Sequence, residues 1–72
     1  METVETVSIT VNGEPRAAAS GATVAQLLDS LGLRPGRVAI ERNLQILARS
    51  EWATTQVAAG DRYEIVQFVG GG

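Results

Sequence analysis

Cysteine, histidine and lysine are all absent from this chain. Without cysteine there is no disulfide and no thiol nucleophile, and without histidine no Ser-His pair can form. Only carboxylates and backbone oxygens remain as metal ligands, so no metal site is expected. All six basic residues are arginines, set against eight carboxylates for a formal charge of −2. That balance, with no basic stripe, argues against nucleic-acid binding. Aromatics are as scarce, with one each of Trp52, Tyr63 and Phe68. No apolar run approaches the ~20 residues needed to span a bilayer. The acidic start, Met1-Glu2-Thr3-Val4-Glu5, lacks the charged and apolar regions of a signal peptide. These features lead to the expectation of a cytoplasmic protein, monomeric by itself, with no membrane partner.

What is present must fold on a small core. A single domain over residues 1–72 is expected, with residues 1–5 frayed. Chains of this size bury only about 60% of their unfolded surface and often add a disulfide or metal. Neither is available here, so Val, Ile, Leu and Ala must supply the core.

Val7, Ile9 and Val11 alternate with Ser8, Thr10 and Asn12, which predicts a half-buried strand ended by the Asn12-Gly13 turn. Arg16–Ala19 can return as the second strand of a hairpin. Thr23 and Gln26 have the spacing of a capping box, and Val24, Leu27, Leu28 and Leu31 line one face of a helix. Gly32 suits the left-handed position after that helix, and Pro35 prevents it from resuming. Val38–Glu41 reads as a strand, Arg42-Asn43 as a tight turn, and Gln45–Leu47 as a short strand. Ser50–Ala53 reads as one helical turn that lets Trp52 close an end of the core. Gly60-Asp61 is a turn signal before a last strand from Arg62 to Val69. One amphipathic helix against a mixed sheet is an α+β layer arrangement.

Candidate chemistry concentrates in Gly70-Gly71-Gly72. Glycine has the largest ordering cost, so three in succession do not serve stability. Without Cβ atoms they can thread a narrow channel and offer a carboxylate to another protein's active site. A mobile chain end or an expression scar is the plainer alternative. A carboxylate must be activated before it can react, for instance by adenylation, after which a sulfur nucleophile can displace AMP. This chain has no phosphate-cradling loop and no cysteine, so the ATP site and the sulfur source would belong to partners. It also has no lysine that could trap its own activated Gly72.

In the last strand, Tyr63 and Ile65 share one face while Glu64, Val66 and Phe68 share the other. With only one helix to cover the sheet, Val66 and Phe68 are expected to form an exposed docking patch. Asp61 and Glu64 show no acid–base signature and read as solvated turn and edge residues. Arg49, Ser50 and Glu51 read as capping the turn before Trp52.

Several stretches together resemble the sulfur-carrier family of the thiamine pathway, a ubiquitin-like β-grasp family. They are Val7–Gly13, Thr23–Leu28, Val38–Asn43, Arg49–Trp52, Gly60–Val66 and the terminal glycines. Leu44 and Ala48 depart from it, standing where such proteins often carry Gly and Pro. The resemblance implies that the chain is not an enzyme and binds no cofactor. An E1-like adenylyltransferase would use ATP to adenylate Gly72, and a cysteine desulfurase or other sulfur donor would convert it to a thiocarboxylate. Thiazole synthase would receive the sulfur. The small subunit of molybdopterin synthase resembles this chain in fold and tail, and a protein modifier conjugated through Gly72 is a further alternative.

Overall fold

The computed structural model describes residues 5–68. Five strands form one sheet in the order β2-β1-β5-β3-β4, and a single helix packs on it. The strands are β1 (Thr6–Val11), β2 (Glu14–Ala19), β3 (Val38–Arg42), β4 (Gln45–Ile46) and β5 (Arg62–Gln67), with α1 at Val24–Ser30. The β1–β5 pair is parallel and the other pairs are antiparallel. This is the α+β, ubiquitin-like β-grasp arrangement that the sequence leads one to expect.

Local chemistry accounts for the helix ends. Thr23 Oγ1 accepts from Gln26 N at 3.1 Å, and Gln26 Oε1 accepts from Thr23 N at 2.9 Å, completing the capping box. At the other end Gly32, with φ +73°, donates to Asp29 O, and Leu33 donates to Leu28 O. These two bonds form a Schellman close, which needs a residue tolerant of positive φ at Gly32. A helix of seven residues is marginal alone. Burial of Val24, Leu27 and Leu28 against Ile9, Val11, Ile40, Tyr63 and Ile65 holds it in place.

Trp52 closes one end of this core, 4% exposed, and its Nε1 donates to Leu47 O at 3.0 Å. Three short elements differ from the sequence reading. β2 begins at Glu14, because Pro15 sits on an edge strand where its missing N–H costs no ladder bond. The turn before Trp52 is a 3₁₀ segment, Arg49–Glu51, preceded by Ala48 with no side-chain cap, so Arg49, Ser50 and Glu51 do not cap it. The β3–β4 turn is Asn43-Leu44 rather than Arg42-Asn43, since Arg42 pairs with Gln45 inside the ladder.

That turn is a two-residue loop with φ of 53° at Asn43 and 71° at Leu44. Such a hairpin turn needs positive φ at both central residues. Leucine there crowds its Cβ against the backbone, at a cost of roughly 1–2 kcal/mol.

Candidate functional site

β5 is the last strand before the glycines in the sequence and the middle strand of the sheet. It pairs with β1 on one side and β3 on the other. Both neighbouring hairpins also grip it through an asparagine. Asn12 Oδ1 accepts from Ile65 N at 2.7 Å, and Asn12 Nδ2 donates to Ile65 O at 3.1 Å. This side chain substitutes for a strand residue and prolongs the parallel ladder beyond β1. Asn43 Oδ1 accepts from Arg62 N at 2.9 Å, and Asn43 N donates to Arg62 O at 2.8 Å.

The start of β5 is anchored by Asp61, which the structure buries to 5% exposure. This corrects the reading of Asp61 as a solvated turn residue. Its carboxylate accepts from Arg42 Nε at 3.0 Å and Arg42 Nη2 at 3.3 Å. It also accepts from Asn43 Nδ2 at 3.2 Å, Ala58 N at 2.9 Å and Tyr63 Oη at 2.8 Å. Five donors let a buried anion persist where an unpaired one would not. Burial alone would raise its pKa, but the bonds from Ala58, Tyr63, Asn43 and Arg42 outweigh burial and hold the carboxyl below its ordinary value. Burial, with the bond to Asp61, pushes the Tyr63 phenol up to about 12. The cluster is a structural knot. Its members face one another rather than an open cleft, and nothing in it is placed for acid–base work on a substrate.

Of the residues singled out in the sequence, Val66 and Phe68 are 59% and 56% exposed, on the sheet face opposite the helix. Phe68 N donates to Arg37 O at 2.7 Å, which carries the pairing with β3 one residue past β5. β5 itself ends at Gln67, short of the expected Val69, which lies with Gly70, Gly71 and Gly72 outside the described residues. Among the described residues two more large apolar side chains are exposed, Leu44 at 76% and Ile46 at 83%. Alternation about Leu47, which packs on the core, would have placed Ile46 outward. No pattern in the sequence points to the Asp61 cluster, because Arg42 and Asn43 stand 19 and 18 residues away along the chain. No helix among the described residues is long and apolar enough to cross a membrane.

The model of the ThiS family matches residues 9–72. Thiazole synthase of Paramagnetospirillum magneticum is 44% identical over 66 residues; the match takes in 92% of this chain but only 20% of that protein. The chain therefore spans about a fifth of that relative's length. The sulfur carrier protein ThiS of Escherichia coli K12 is 35% identical, with the match covering 92% of this chain and all of that protein. The crystal structure of the thiamine biosynthesis protein ThiS from Geobacter metallireducens superposes with a TM-score of 0.78 at 35% identity, over 92% of this chain and 100% of that one.

Proposed function

The chain belongs to the ThiS family, and on that premise we propose that it is a sulfur carrier of thiamine biosynthesis whose working atoms are those of the Gly72 carboxylate. It is a protein co-substrate, not a catalyst. A carboxylate oxygen of Gly72 attacks the α-phosphorus of ATP held by an E1-like adenylyltransferase, and pyrophosphate leaves. The outer sulfur of a persulfide made by a cysteine desulfurase then attacks the acyl carbon, and AMP leaves. A thiol reductant cleaves the resulting acyl disulfide to give the thiocarboxylate and a disulfide. A donor of free sulfide would give the thiocarboxylate directly as AMP leaves. Thiazole synthase takes that sulfur and returns the carboxylate. Homologous segments within much longer thiazole synthases support that partnership. An ATP-dependent step fits a cytoplasmic location.

The observation that carries this reading is the restraint on β5. Two strands and two asparagine side chains hold it, and Val66 and Phe68 lie exposed at its end. From Phe68, four further residues bring the chain to Gly72, a reach of at most roughly 14 Å when extended. A rigid strand with an apolar face can register the domain on a partner while Gly70 and Gly71 fit a channel too narrow for side chains.

Intact-mass spectrometry tests the chemistry. After incubation with the activating enzyme, MgATP and a sulfur source, the protein should gain the mass of one oxygen-to-sulfur exchange, localised to Gly72. Absence of that species would sink the reading. For docking, Phe68→Asp should weaken partner binding while thermal unfolding stays near wild type; a large fall in Tm would instead assign Phe68 a structural role.

A further inference from the structure

We infer that the open edge of β2 is complementary to itself, and that two copies of this chain join through it into one continuous sheet. The inference is independent of the sulfur-carrier reading and departs from the expectation of a lone monomer.

The direction of each β2 amide follows from the ladder. Thr10 N and Asn12 N donate to Asp61 O and Tyr63 O, so the even residues of β1 face β5. Val7, Ile9 and Val11 then face β2, where the register pairs them with Ala18, Arg16 and Glu14. Ser20 N, next in that series, donates to Glu5 O. Pro15, Ala17 and Ala19 therefore point their backbone groups away from the sheet. Ala19 O is taken by Ala22 N at 3.0 Å, and Pro15 has no N–H. The edge leaves open Pro15 O, both groups of Ala17, and Ala19 N, none of them bonded among the described residues.

That row reads acceptor, donor with acceptor, donor, and it matches itself when reversed. A two-fold axis at Ala17 sets Pro15 of one copy against Ala19 of the other. Each Ala17 N then donates to the opposite Ala17 O, and each Ala19 N donates to the opposite Pro15 O. The pairing strands no group, because the missing Pro15 N–H falls against the Ala19 O that Ala22 already satisfies.

The side chains permit this approach. Ala17 and Ala19 are small, exposed and uncharged, without the lysine or bulge that guards many edges. In this register Glu14 falls opposite Ser20 and Arg16 opposite Ala18, so no charge stands directly against another. On the helix side Ala18 borders a groove lined by Gly21, Gln26, Leu27 and Ser30. The alkyl stem of Arg16 from the second copy can lie along it with its charged end in water. The other edge, β4, has only two residues and offers no comparable row. A two-fold contact through β2 uses up the long edge and closes as a dimer. It leaves the outer face at Val66 and Phe68 uncovered.

Sedimentation equilibrium of the full chain tests this. An edge contact is small, so Kd should be on the order of 0.1 mM, with the mass rising from 7.6 kDa towards twice that value as concentration passes through it. Over the same range amide exchange at Ala17 and Ala19 should slow, while exchange at Ile46 on the β4 edge stays unchanged. Ala17→Pro removes the central donor from both copies and should raise Kd by roughly thirtyfold. Its Tm at low concentration should match wild type, since that N–H serves no bond within the domain. A mass that stays at 7.6 kDa up to about 1 mM overturns the inference. So does a dimer that Ala17→Pro leaves intact, or one in which the Ala17 and Ala19 amides are not slowed. The exchange measurement uses wild-type protein alone, so it decides the matter even where the proline variant folds poorly.

Discussion

Asn12-Gly13 joins β1 to β2 and Asn43-Leu44 joins β3 to β4, and in both turns both residues have positive φ. Each turn also sends its asparagine side chain to β5, at Ile65 from one side and at Arg62 from the other. Asparagine suits the first position twice over, since it tolerates the left-handed region and carries an amide that can pair with backbone. The turns part at the second position. Gly13 meets the backbone demand without strain, and Leu44 does not. One turn follows the local rule, and the other breaks it at a leucine that is 76% exposed. Such a departure is expected where a residue answers to something outside the fold.

The comparison can be broken most severely at what the turns help to hold. Asp61→Ala removes the acceptor of five hydrogen bonds and should cost about 3–4 kcal/mol in urea unfolding, because Tyr63 Oη and Ala58 N lose a buried partner. The same carboxylate sets the acid limb of stability. Its pKa is lowered on folding, so its contribution is present above about pH 4 and disappears as pH falls through the folded value. Asp61→Asn should flatten that limb. At the alkaline end, Tyr63 is raised to about 12, so its contribution is full below pH ~10 and is lost as pH rises from there through 12. Tyr63→Phe should remove that loss, as measured by unfolding at a series of pH values.

Asn12→Ala and Asn43→Ala come next, at about 2 kcal/mol each, since each strips a hydrogen bond from a β5 N–H and puts alanine at positive φ. If either is near neutral, that turn does not grip β5. The exchange at the second position sharpens the contrast most directly. Gly13→Leu should destabilise by about 1–2 kcal/mol and Leu44→Gly should stabilise by about 1 kcal/mol, measured by thermal unfolding. Equal responses of the same sign would show that the turns are not equivalent in shape.

The helix was legible because its start, stop and face are all local. Thr23, Gln26 and Gly32 act within a few residues, and the leucine spacing needs only the helical period. The hairpins were legible for a similar reason, with the second turn misplaced by one residue because leucine is not a turn signal. Outward placement of Val66 and Phe68 followed from alternation in β5 and the presence of a single helix. Asp61 was misread because the donors to its carboxylate include Arg42 and Asn43, 19 and 18 residues away. Nothing near Asp61 in the chain announces them. The asparagine grips on β5 were missed for the same reason, as Asn12 and Ile65 are 53 residues apart.

By itself, the sequence determined the element types, the apolar core, the glycine-ended last strand and the absence of thiol, imidazole and lysine chemistry. Periodicity, capping and composition act over a few residues or over none. Tertiary structure alone decided that Asp61 is a buried anion, that both turn asparagines hold β5, and that Glu41 faces Glu64. Each of these requires loops or strands from distant parts of the chain to meet within hydrogen-bonding or ladder distance, which only the folded sheet arranges.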